Sequence, residues 1–270
     1  MPAPHLDSQW DARIARARAL AVHHPAAADI LTFYAALAEQ QKHLASGHAA
    51  LAGSLEGLVE PALAAIPDVL DWLEQAAPRP LADAVSQMRR LTPVAWRGLL
   101  KASVTAAASD LEPPSEPAAF VAEAVLQPLA EAVARAHEPP AGAHEGDFAR
   151  RAARCPACGG RPLVGLLREE GQGAKRGLVC GLCLIDWDYL RVVCPACGEQ
   201  RFDALPIYIA EQLPHVRVDA CDSCRTYLKT IDLTKDGHAV PLVDDLATIA
   251  LDLWARQQGY RRLRPNLLRV

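Results

Sequence analysis

All eight cysteines of this 270-residue chain fall between Cys155 and Cys224, grouped as four C-x-x-C pairs. The pairs are Cys155/Cys158, Cys180/Cys183, Cys194/Cys197 and Cys221/Cys224. Two thiolates separated by two residues of a tight turn can face one cation, and two such turns complete a tetrahedral set of four sulfurs. The stretch CPACG opens at Cys155 and returns at Cys194, 39 residues later. Its proline (Pro156, Pro195) fixes φ at the first inner position of the turn. Its glycine (Gly159, Gly198) permits the positive φ that such a turn needs.

The gaps between pairs show an internal repeat. There are 21 residues between Cys158 and Cys180, and 23 between Cys197 and Cys221. Both are close to the spacing of zinc ribbons, in which a hairpin separates the two turns. Sequential pairing therefore predicts two metal sites. One is Cys155, Cys158, Cys180 and Cys183; the other is Cys194, Cys197, Cys221 and Cys224. Pairing Cys180/Cys183 with Cys194/Cys197 leaves only 10 residues between pairs and breaks the repeat. Zinc and rubredoxin-type iron both accept tetrahedral thiolate, and spacing does not choose between them. A thioredoxin-like dithiol needs a helix after its C-x-x-C, and no helical pattern follows these pairs. Iron–sulfur clusters also use cysteine sets, but hairpin spacing favours a single ion at each site.

Short alternating segments position the cysteines. Leu163–Arg168 and Arg176–Cys180 flank the turn Glu170-Gly171-Gln172-Gly173 and read as a hairpin. Ile185–Val193, Ala204–Ala210, Val216–Ala220 and Thr226–Leu233 read as further strands. Residues 1–137 instead read as six or seven Ala- and Leu-rich helices. The first is expected over Ser8–Val22, with a break at His24-Pro25. The second carries Ile30, Leu31, Phe33, Tyr34, Leu37 and Leu44 and ends near Ser46-Gly47. Ile66-Pro67-Asp68, Thr92-Pro93 and Ser115-Glu116-Pro117 read as helix starts. Pro128 predicts a kink or split, and Pro61 poses the same problem. Glu138–Asp147 reads as a linker. From Pro241 one helix is expected, with Leu242, Leu246, Ile249, Ala250, Leu253 and Trp254 on its apolar face and a loose basic tail at Tyr260–Arg264. The expected class is α+β: a helical domain (1–147), two rubredoxin-like or zinc-ribbon modules (148–193, 194–240) and a C-terminal helix packing on the body (241–270).

Composition excludes several functions. Half the residues are apolar, which argues against global disorder. No apolar run reaches the length of a membrane span, and the first twenty residues lack a secretory apolar core, so the protein is expected in the cytoplasm. Net charge is −4. Residues 151–241 hold 12 basic and 11 acidic side chains, and two divalent ions on eight thiolates bring that region to about −3. Nucleic-acid binding needs a positive surface, so it is disfavoured. His23, His24, His43, His48, His137 and His144 pair at ligand spacing with nothing, and His215 and His238 sit beside sulfur sets that are already complete. Trp187 with Tyr189, and Tyr227 with Lys229, alternate on their strands and read as ribbon packing, with partner contact as the alternative. No phosphate-binding loop, nucleophile elbow or dinucleotide fingerprint is present, and no small-molecule substrate is predicted.

The flanks CPACGGRPLVG (Cys155–Gly165), LVCGLCLIDWDYLRVVCPACG (Leu178–Gly198) and DACDSCRTYLKTID (Asp219–Asp232) resemble the formate dehydrogenase accessory protein family, FdhE. HPAAADILTFYAALAEQQ (His24–Gln41) and PLVDDLATIALDLWARQQGYRR (Pro241–Arg262) look like that family's early and closing helices. The resemblance implies a non-enzymatic, cytoplasmic maturation factor. Such a factor binds the formate dehydrogenase catalytic subunit before export and holds rubredoxin-type iron in its C-x-x-C pairs, with zinc as the alternative occupant. An electron carrier serving that enzyme is the second expectation, and a nucleic-acid-binding zinc ribbon a weaker third.

Overall fold

The structure is a computed structural model that describes residues 6–47, 55–108, 117–136 and 153–269. Helices α1 (Leu6–His23) and α2 (Ala28–Gly47) form a hairpin around the turn Pro25–Ala27. Helices α3 (Val59–Ala76), α4 (Arg79–Met88) and α5 (Pro93–Ala108) surround α6 (Pro117–Ala136). Every residue of α6 from Ala118 to Ala134 is buried. Against the expectation that no apolar run reaches that length, helix α6 is long and apolar enough to cross a membrane, but 94% of that window lies inside the fold. Its charged groups are paired there. Arg13 of α1 donates two hydrogen bonds to Glu131, at 2.7 and 2.6 Å, and stacks on Trp10.

Two proline expectations need correction. Helix α6 runs unsplit through Pro128, because helices packed along its length hold the backbone in place. Pro67 does not start a helix but lies inside α3. The buried stripe Ala62, Ala65, Ile66, Val69, Leu70 and Leu73 continues through it, and packing overrides the local break. Pro61 sits in the first turn of α3, where an N–H has no helical partner to lose. At Thr92-Pro93 the start is as read, with the Ala95 N–H donating to Thr92 Oγ1 at 3.2 Å. Ser115, Glu116 and the expected linker lie outside the described residues.

The cysteine region is one seven-stranded sheet. Strands β1 (Pro162–Glu170), β2 (Gly173–Cys180) and β3 (Asp186–Asp188) form an antiparallel meander. Strands β4 (Ile207–Ile209), β5 (Val216–Cys221) and β6 (Thr226–Asp232) repeat it. The order β3-β2-β1-β6-β5-β4 places the meanders side by side, joined by parallel pairing of Gly165–Leu167 with Thr230–Asp232. The expected strand Ile185–Val193 shrinks to β3. Beyond Asp188 the carbonyls of Leu190 and Val193 accept hydrogen bonds from Arg176 Nη1, at 3.2 and 3.0 Å, instead of joining a ladder.

The C-terminal segment also differs from expectation. It forms α7 (Pro241–Ala247), α8 (Ile249–Gln257) and β7 (Arg261–Arg262), the last pairing with β6. The break at Thr248 follows from Lys229 on β6. This lysine is wholly buried, and its Nζ donates to the Asp245 carbonyl at 2.6 Å and to Asp252 Oδ2 at 2.5 Å. The Asp245 carbonyl is thus drawn away from a regular helical bond. The break rotates the apolar face, so Ala255 is buried while Leu253 is exposed. The basic tail is not loose. Arg262 pairs with Asp245 and with Asp252 (3.0 Å), and Tyr227 donates to Asp252 at 2.7 Å.

Two buried cations thus face two buried carboxylates. Burial pushes the Asp245 carboxyl up, but Arg262 and Lys229 outweigh it and hold it below its ordinary 3.8. That stabilisation is present above the ordinary value and is lost as pH falls through the depressed one. Lys229→Met leaves two carboxylates sharing Arg262, and unfolding titrations should show a loss of about 3–5 kcal/mol, the usual cost of breaking a buried pair.

Candidate metal centres

Each C-x-x-C pair sits at the end of a strand or in the turn before one, so the two meanders bring their pairs together in chain order. Cys155 Sγ lies 3.5 Å from Cys183 Sγ, and Cys158 Sγ lies 3.4 Å from Cys180 Sγ. In the second set, Cys194–Cys224 and Cys197–Cys221 are each 3.7 Å apart. Within each set all four sulfurs lie within 4.8 Å of one another. A tetrahedral ion with metal–sulfur bonds of about 2.3 Å has sulfur–sulfur edges of about 3.8 Å. Both sets therefore fit a single thiolate-bound ion, and all eight cysteines are free of disulfides.

The turns share one backbone design. Cys155 N–H donates to the Gly160 carbonyl and Gly159 N–H to the Cys155 carbonyl, at 2.9 and 2.8 Å. Cys194, Gly198 and Glu199 repeat the pattern at 2.9 Å. The residue after the second cysteine takes positive φ in all four turns: Gly159 (71°), Leu184 (57°), Gly198 (80°) and Arg225 (55°). Two of these are not glycine, so the sequence signal shows only at the CPACG copies. Backbone N–H groups also reach the sulfurs, as Gly160 does to Cys158 Sγ (3.4 Å), Leu182 to Cys180 Sγ (3.3 Å) and Ala196 to Cys194 Sγ (3.4 Å).

Thiols this close share protons. In the first set the hydrogen bond with Cys155 pushes both Cys158 and Cys183 up. At Cys180 burial acts upward too, but hydrogen bonds from the other three thiols outweigh it and hold the group well down. In the second set burial pushes Cys194 up, and Cys197 up to about 11. A cation that displaces these protons removes the cost of gathering four thiols, and its binding then adds to folding stability.

A third group, His215, Asp236 and Asp244, also gathers potential ligands. A cation is already supplied there by the chain. Arg16 Nη2 lies 2.7 Å from Asp236 Oδ2 and 2.5 Å from Asp244 Oδ1, while His215 Nε2 is 3.0 Å from Asp244 Oδ1. This cluster ties α1 to α7. Nothing in the sequence signals it, because its members come from four separate segments.

Fold and site together define a class: a helical N-terminal region, then a β-sheet region with two four-cysteine clusters able to hold metal, and C-terminal helices. Residues 154–191 match the family model "FdhE, central domain", and residues 192–269 match "FdhE, C-terminal domain". The chain is 41% identical over 116 residues to "Protein FdhE homolog" of Aquifex aeolicus, covering 42% of this chain and 41% of that protein. It is 40% identical over 119 residues to "Protein FdhE homolog" of Pseudomonas aeruginosa, covering 42% of this chain and 38% of that one. These matches thus span about two fifths of each relative. The crystal structure of the FdhE protein from Pseudomonas aeruginosa superimposes with a TM-score of 0.75 at 26% identity, covering 98% of this chain and 96% of that chain. Residues 154–269 thus match the FdhE family models, and the whole chain shares the fold of the Pseudomonas aeruginosa FdhE protein.

Positive φ at the turn glycines gives a direct test. Gly159→Ala (71°) and Gly198→Ala (80°) should each lower stability by about 1–2 kcal/mol in denaturant titrations.

Proposed function

We propose that this protein is a non-enzymatic maturation factor that binds the catalytic subunit of a formate dehydrogenase in the cytoplasm and supports its activity. The match of residues 154–269 to the FdhE family models, together with two four-sulfur sets of metal-binding geometry, carries the reading. Cys155, Cys158, Cys180 and Cys183 hold one ion, and Cys194, Cys197, Cys221 and Cys224 hold the other. The proposed ion is rubredoxin-type iron, with zinc as the alternative occupant. Bound iron supplies a one-electron couple, and bound zinc a fixed cross-link.

The chain's own residues do the rest. The turn N–H groups donate to sulfur, and the meanders hold the pairs at tetrahedral spacing. The organisation proposed is a helical domain (1–147), ribbon modules (148–193, 194–240) and a closing segment (241–270). That segment seats Val243 and Leu246 among α1 and α2, and Leu242 on β1 and β6.

Protein purified without air should hold two metal ions per chain, counted by elemental analysis with a visible spectrum of the same sample. Cys→Ala at any of the eight positions should lower the count to one and lower the thermal midpoint. Unchanged metal content and midpoint across the eight variants would sink the ligand assignment. A tagged chain should retain the formate dehydrogenase catalytic subunit from cells in an anaerobic pull-down, and failure to do so with metal-loaded protein would sink the partner assignment.

A further inference from the structure

The two four-cysteine sets repeat each other in sequence and backbone, yet their surroundings differ. In the first set every residue of the turn from Cys180 to Leu184 is buried. Helix α6 reaches this turn, where Gln127 Nε2 donates to the Gly181 carbonyl at 3.3 Å. From the other side the C-terminal tail lies against it, so closely that a Cβ on Gly181 would collide with the Arg264 side chain. Leu182 is 2% exposed and belongs, with Cys155, Cys180, Cys183 and Leu267, to the core built around α6. The first centre is therefore part of the contact between the helical domain and the sheet.

The equivalent turn of the second set is covered on one side only, where Tyr260 Oη donates to Asp222 Oδ1 at 2.6 Å and Arg261 N–H to the Arg225 carbonyl at 2.7 Å. Asp222, Ser223 and Arg225 are exposed, and Cys197 and Cys224 are both half-buried. An open cleft adjoins Cys194 and Cys221, and its rim includes Phe202 (79% exposed) and Ile207 (50% exposed). No element of the helical domain takes part in the clusters that pack around this module, among the described residues.

Thiolate-bound ions exchange by ligand replacement. An incoming donor bonds to the metal as one sulfur leaves, and the freed thiolate takes a proton from water. The metal's oxidation state does not change. The incoming donor must reach the ion, so replacement is gated by access. At the first centre only Cys158 is half-buried, and α6 closes the side of Cys180 and Cys183; at the second both Cys197 and Cys224 are half-buried, and no described helix before the sheet covers them.

We propose that the second four-cysteine centre is the exchangeable metal site of this protein, entered through Cys197 and Cys224, and that the first is a permanent staple. The proposal rests on the two-centre reading above and assigns different tasks to its halves.

The test uses the full chain loaded with zinc without air and mixed with excess 4-(2-pyridylazo)resorcinol. Zinc release should occur in two steps of one equivalent each, with rates at least about tenfold apart, because buried regions open far less often than exposed ones. Iodoacetamide added after the first step, followed by peptide mass spectrometry, should label Cys194, Cys197, Cys221 and Cys224 and spare the other four. Release in a single phase, or early labelling of Cys155, Cys158, Cys180 or Cys183, would overturn the proposal while leaving two zinc ions per chain in place. Fewer than two zinc ions at the start would overturn the two-centre reading itself, and this proposal with it.

Discussion

Strands β1 and β6 meet over three residue pairs, Gly165 to Leu167 against Thr230 to Asp232, and this short parallel seam sets the position of everything around it. It demands a residue without a side chain at Gly165, because a Cβ there would run into Thr230 Oγ1. That hydroxyl instead donates to Asp219 Oδ2 at 2.9 Å, and the same oxygen accepts from Arg176 at 3.2 Å. Arg176 belongs to the first meander and Asp219 to the second. The seam is therefore closed by backbone pairing and by one carboxylate that both halves share. Two ribbons that would be marginal alone become one sheet broad enough to pack against helices.

The sheet then organises charge. Lys229 follows the seam's own strand into the interior, where it has to meet carboxylates. Asp245 and Asp252 supply them from α7 and α8, and Arg262 on β7 restores neutrality. Desolvating four charges is expensive, and such clusters contribute more to a unique arrangement than to net stability. Here the arrangement is the docking of the C-terminal segment, which breaks at Thr248 to meet the lysine. Arg16, Asp236, Asp244 and His215 repeat the strategy where α1 reaches the same segment.

A consequence of this packing is the inequality of the two four-cysteine sets. The meanders are copies, but among the described residues α6 covers only the first set. Duplication thus supplies two centres of the same geometry, and the helical domain distinguishes them by covering one.

The cysteine sets, their sequential pairing, the β1–β2 hairpin and the helical character of the first half are legible in the sequence. Each depends on contacts between neighbours in the chain: two residues between thiols, alternation along a strand, apolar spacing along a helix. Positive φ at Leu184 and Arg225 is not legible, because neither residue type announces it. Nor is the fate of Pro67 and Pro128, since local breaking preference yields to burial on several sides. The long-range partners are hidden for the same reason. That Lys229 would meet Asp245 and Asp252, that the basic tail would pair inward through Arg262, and that one centre would lie deeper than the other all depend on which surfaces the seam and α6 bring together. Local chemistry was written in the order of residues; burial, which decides how that chemistry is used, exists only once distant segments have packed.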